Sequence, residues 1–107
     1  MRKLRSFKAF HLEELKDSEK AKAYLEVALE EHQKDGDTDA FLLALRDVAE
    51  AQGGLGKLAK ETGLNRSNIY KALSEKGKPY FQTVETILHG LGYQLSVESL
   101  SPEALSE

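Results

Sequence analysis

The chain has 107 residues, with 15 Lys+Arg against 18 Asp+Glu, 2 Pro, and neither Cys nor Trp, a length that suits one domain. With no cysteine, disulfide frameworks, Cys-ligated zinc, iron–sulfur clusters and thiol catalysis are excluded. A composition 40% hydrophobic and 31% charged argues against disorder, and no uncharged stretch approaches the roughly 20 apolar residues that span a bilayer. The basic opening, residues 1–8, runs into Glu13 and Glu14 without an apolar region, so it is not read as a secretory signal. The expectation is a soluble cytoplasmic domain with no membrane partner.

Asp17 or Ser18 caps a first helix running to about Gln33, with Ala21, Tyr24, Leu25, Ala28 and Leu29 on one stripe. Gly36 ends it, as glycine accepts the left-handed conformation at a helix C-terminus. Asp37 caps the next helix, and Asp39 adds a negative charge to its first turn. Phe41, Leu45, Val48, Ala49 and Gln52 continue the helical period, with Leu42 beside them, until Gly53-Gly54. Two short helices follow, from about Leu55 to Thr62 and from Asn65 or Arg66 to Ser74, joined at Gly63. Pro79 suits the start of a last helix, lined by Val84, Ile87, Leu88 and Leu91 and closed by Gly92. Tyr24, Phe41 and Phe81 stand at core spacing and read as packing.

Beyond Gly92 the period changes: Tyr93, Leu95 and Val97 alternate with Gln94, Ser96 and Glu98, which reads as one short strand. A single strand leaves its backbone groups without partners. Residues 5–10 offer one solution. The same strand of a second copy, across a two-fold axis, is the neater one and predicts a homodimer. The expected architecture is therefore all-α, five helices with one short C-terminal strand, divided into a helical extension (1–36), a main domain (37–98) and a frayed tail (99–107).

The net charge of −3 hides a strong segregation. Residues 1–10 sum to +4, residues 11–53 to −7, residues 54–80 to +4 and residues 81–107 to −4. Inside the basic window lie the two short helices. Ala59 is small enough for them to cross closely, Gly63 turns the chain, and Ile69 points back into the core with Leu58, Leu64 and Leu73. That is the helix-turn-helix pattern. The second helix's other side carries Asn65, Arg66, Ser67, Tyr70 and Lys71, polar or cationic groups of the kind that read base edges in the major groove. Its N-terminal end faces the bases in such docking, which favours Arg66 and Ser67 as readers. Lys57, Lys60, Ser74, Lys76 and Lys78 stand at the edges, placed to meet phosphates. The alternative is a hairpin used only for packing, its basic side a solvated helix face.

Residues 37–97 resemble the Cro/C1-type (lambda repressor-like) helix-turn-helix domain of phage repressors. From about Phe10 to Val97 the chain resembles the probable addiction-module antidote proteins, antitoxins encoded beside RelE/HigB-like toxins. The resemblance rests on Leu15-Lys-Asp-Ser-Glu-Lys-Ala-Lys-Ala-Tyr24-Leu25, Phe41-Leu-Leu-Ala-Leu-Arg-Asp-Val-Ala-Glu-Ala51 and Leu58-Ala-Lys-Glu-Thr-Gly-Leu64. It continues through Ile69-Tyr-Lys-Ala-Leu-Ser-Glu-Lys-Gly77, Pro79, Thr83 and Leu91-Gly92. It implies a dimeric repressor of its own operon that binds double-stranded operator DNA and neutralises a basic toxin, with Arg66, Ser67, Tyr70 and Lys71 on the recognition helix. One departure is Gly54-Leu55, where many Cro/C1 domains carry Thr-Gln and use the Gln on DNA. The −7 of residues 11–53 suits a cationic protein partner, although an acidic helix face is also a common solvated surface.

Other signals fall away. Asp35-Gly-Asp37-Thr-Asp39 opens like an EF-hand loop, but Ala40 and Arg46 stand where Gly and Glu are required. A phosphate loop around Gly53–Lys57 fails at Ala51 and Leu58. His11, His32 and His89 are widely separated, so no metal or other cofactor is expected, and His32 suits a helix C-terminus. Ser67 has no base and orienting acid nearby in sequence, so an enzyme is not expected. The alternatives to a repressor antitoxin are a stand-alone phage-type regulator without a toxin, and a helical interaction adaptor.

Overall fold

The computed structural model of the protein describes residues 11–74 and 77–101. Its elements are α1 (Ser18–Asp35), α2 (Thr38–Ala51), α3 (Gly54–Thr62), α4 (Arg66–Ala72) and α5 (Phe81–Gly90), preceded by a helical turn at residues 11–14. The mostly helical expectation holds, with two corrections. The turn at 11–14 is an additional helical segment, closed by Leu15 N–H donating to the His11 carbonyl (3.1 Å). It is separate from α1 because Asp17 takes an extended conformation to accept from the N–H groups of Glu19 (2.9 Å) and Lys20 (3.1 Å). Second, no strand occurs among the described residues: 93–101 is irregular. Tyr93 and Leu95 pack against this chain's own core, and the Tyr93 hydroxyl donates to the Ser18 carbonyl at 3.0 Å. The alternation was real, but it serves to anchor a tail; without a neighbouring strand no ladder forms. Val97 stands 98% exposed. The possible pairing segment 5–10 lies outside the described residues, as do residues 102–107.

The caps explain where the helices begin. Asp37 accepts from Ala40 N–H at 3.1 Å to start α2, and Asn65 accepts from Ser67 (2.8 Å) and Asn68 (3.3 Å) to start α4. Pro79 sits before the cap of α5, which is Tyr80, not inside the helix. His32 lies in the last turn of α1, with its Nδ1 3.3 Å from the Thr38 hydroxyl.

One continuous hydrophobic cluster runs from Leu15, Ala21 and Leu25 through Phe41, Leu42, Leu45 and Val48 of α2 to Leu58, Ile69, Leu73, Ile87 and Leu88. The segment before α2 therefore shares its core with the rest. Phe81, expected in the core, is 70% exposed. Its angular position on α5 is right, but it is the helix's first residue. Close packing tightens only further along, where Val84 is half-buried and Ile87 and Leu88 are buried. At the other end of α5 the approach is tight. A Cβ on Gly90 would lie 2.6 Å from Thr62 Cγ2 and 2.8 Å from Leu58 Cδ1, so glycine there lets α5 press on the end of α3.

Polar and ring contacts tie the segment before α1, α1 itself and the C-terminal end of α2 together. Gln52 donates to the Leu15 carbonyl at 3.2 Å, and the Tyr24 hydroxyl donates to Asp47 Oδ2 at 3.1 Å. His11 stacks edge-on against Tyr24, ring centroids 4.7 Å apart. Burial, then the Asp47 charge and the hydrogen bond to it, push the Tyr24 pKa up to about 12. The neutral phenol is the form the fold stabilises, so this contribution is complete below the unfolded value near about 10. It is lost as pH rises from there through about 12. Tyr24→Phe is expected to cost about 0.5–1.5 kcal/mol at pH 7 and to flatten stability against pH in that alkaline window. Urea titrations of both proteins from neutral to alkaline pH check it.

Candidate functional site

The segment from α3 to α4 is built around a three-residue turn. Gly63 adopts φ 75° and donates to the Ala59 carbonyl at 2.9 Å, a left-handed conformation that a side chain would strain. Thr62 stitches the corner: its hydroxyl donates to the Leu58 carbonyl (2.8 Å) and accepts from Leu64 N–H (3.2 Å). Asn65 then caps α4. With seven residues, α4 is too short to be stable alone; it is held by Ile69 and Leu73, both fully buried.

That anchoring leaves the rest of α4 outward. Arg66, Ser67, Asn68 and Lys71 are exposed and Tyr70 is 50% exposed. Asn65 is exposed too, with its side-chain oxygen committed to the cap. Lys57, Lys60 and Lys78 are exposed cations; Lys57 lies 3.9 Å from Glu61 one turn on. The Ser74 hydroxyl donates to the Lys71 carbonyl at 2.8 Å. Lys76 lies outside the described residues.

Four of the expected base readers share an open cleft of about 760 Å³. Asn65, Arg66, Ser67 and Tyr70 line it with Gly54, Leu55 and two α2 residues, Arg46 and Glu50. Lys71 is not among the lining residues. The α2 pair is what sequence reasoning missed. Arg46 Cζ sits 4.5 Å from the Tyr70 ring centroid, and its Nε donates to Glu50 Oε1 at 3.2 Å. Burial works against the Arg46 charge, but Glu50 and Tyr70 outweigh it and hold the pKa above its ordinary value. Arg46 is the one basic residue between Lys34 and Lys57, which does not by itself place it at the cleft.

The cap gives a simple test of this architecture. Asn65→Ala is expected to lose about 1 kcal/mol, while Asn65→Asp, an equally good cap, loses almost nothing. Urea midpoints of the two variants decide it.

On the opposite charge balance, Glu19, Glu26, Glu30, Glu31 and Asp35 of α1 and Asp39 of α2 are all exposed. No helix among the described residues is long and apolar enough to cross a membrane.

A family model described as "Probable addiction module antidote protein" matches residues 4–99. An uncharacterized protein of Haemophilus influenzae strain Rd is 34% identical over 86 residues, covering 80% of this chain and 84% of that relative. No solved structure matches.

Proposed function

This chain belongs to the family of probable addiction module antidote proteins, and from that premise we propose that it is a DNA-binding antitoxin. It represses its own toxin–antitoxin operon through a Cro/C1-type helix-turn-helix made by α3 and α4. The observation that carries this reading is the two-sidedness of α4: Ile69 is fully buried while Arg66, Ser67, Tyr70 and Lys71 remain open. Solvent alone is satisfied by any polar outer face; what favours DNA is that this face is cationic, within a window of +4 in a chain of net charge −3. An arginine there can grip guanine O6 and N7, and the lysines around it can neutralise phosphates. The protein binds; it does not catalyse.

A homodimer on a palindromic operator would set half-sites about one helical turn apart, roughly 34 Å. The C-terminal segment suits the dimer contact, since Tyr93 and Leu95 anchor it and Val97 and Leu100 stand exposed. The partner toxin is a basic, RelE/HigB-like protein, and the acidic α1–α2 hairpin is the surface that would steer it.

Whether a small RelE-like reading frame adjoins this gene, and what its expression does, tests the antitoxin half. Growth arrest relieved by co-expression of this chain, together with co-purification of the two proteins, is the expected result. A neighbour that is harmless, or toxic but unrelieved, favours a stand-alone regulator.

A further inference from the structure

We propose that Arg46 and Glu50 of α2 are positioning residues for DNA readout, holding the Tyr70 ring in place on the cleft where Arg66 and Ser67 meet DNA. This deepens the DNA-binding reading and rests on it.

A tyrosine on a short, exposed helix turns freely about its side-chain bonds, and a reader that must be ordered on binding loses affinity to that ordering. Tyr70 is not free in this way. The Arg46 guanidinium lies over its ring at 4.5 Å, a cation–π contact worth about 0.5–1 kcal/mol at an exposed site. Arg46 in turn is fixed by its Nε hydrogen bond to Glu50, and both side chains of that pair are only 26% exposed. Both project from α2, whose Leu45, Val48 and Ala49 are buried in the core. The ring is thus oriented from the rigid part of the fold, not from the seven-residue helix that carries it. Glu50 matters for a second reason. A carboxylate lining a cleft that receives DNA repels phosphate, and the ion pair with Arg46 offsets that charge.

A bare surface ion pair would be worth little, and an arginine beside DNA could simply touch a phosphate. The two roles differ in what they change. Fluorescence anisotropy on a duplex from the gene's own upstream region and on a scrambled duplex, in the full chain, separates them. Arg46→Ala is expected to lower the preference for the upstream duplex about two- to fivefold, with its urea midpoint little changed. Arg46→Lys, which keeps a cation over the ring, should restore part of that preference. In a Tyr70→Ala background, Arg46→Ala should cost no further preference, because the residue it positions is gone. Additive losses overturn the proposal. So does an equal loss on both duplexes with the salt slope reduced by about 1, which marks a direct phosphate contact. If the unmodified protein shows no preference between the duplexes, the DNA reading itself fails and this role goes with it. That outcome is seen before any variant is made.

Discussion

Ile69→Ala lowers folding stability by about 2–5 kcal/mol, the largest single effect expected of any substitution on α4. Ile69 is fully buried, in one cluster with Leu58, Leu73 and Leu45. Truncation removes transfer free energy and leaves a cavity that neighbours close only in part. A domain of this size has about 5–15 kcal/mol to lose, so the variant should unfold at markedly lower urea. The seven residues of α4 have no length to be helical without their anchor. Native-state hydrogen exchange should therefore show α4 amides opening first, while those of α1 and α2 keep most of their protection. Ile69→Val, one methylene smaller, is expected to cost about 0.5–1.5 kcal/mol. A loss below about 0.5 kcal/mol for the alanine variant would mean that α4 is not held by this contact.

Arg66→Ala is expected to leave folding almost untouched and to weaken specific DNA binding by about 1–3 kcal/mol. The side chain is exposed at the first residue of α4, so no core contact is lost with it. What disappears is a planar donor pair matched to guanine, and preference among sequences should relax at the position it reads. Lys60→Ala is the contrast. From the last turn of α3 a flexible ammonium would neutralise phosphate whatever the sequence, so upstream and scrambled duplexes should weaken alike. Measuring both variants on both duplexes checks the assignment: a sequence-blind loss for Arg66→Ala would make it a phosphate contact.

The sequence spoke most clearly where local chemistry acts alone. Asp37 announced a helix start, and Asp17 or Ser18 and Asn65 or Arg66 bracketed two more, because a short side-chain oxygen has a favourable use there. Asp17, Asp37 and Asn65 form the caps, although Asn65 also stands among the expected base readers. The stripes of α1 and α2 gave the buried faces because amphipathic period and burial are the same constraint. Phe81 was misjudged because period fixes only the angle of a residue around its helix. Whether another element stands opposite depends on the tertiary fold. Tyr93 and Leu95 alternate as a strand would, yet the same spacing suits an extended tail laid on a core, and only a partner strand could have distinguished the two. In the candidate site, the α4 side chains were legible because they are neighbours in sequence. Arg46 and Glu50 were not, since they reach the cleft from a helix about 20 positions away in chain order, and as an i,i+4 pair they look like any surface ion pair.

The acidic hairpin and the cationic face of α3 and α4 divide the molecule into two surfaces of opposite sign. On the proposed reading, operator DNA and a basic toxin would be partners of opposite charge. A single uniformly charged surface would serve one of them at the expense of the other. Charge segregation would let both be held by a chain whose net charge is only −3.

The central claim is that the outer face of α4 reads DNA. The most direct measurement is fluorescence anisotropy of the unmodified protein on its own upstream duplex against a scrambled one, across a salt series. A clear preference for the upstream duplex, with affinity falling steeply as salt rises, is the predicted result. Equal, weak binding to both duplexes at low salt would contradict it.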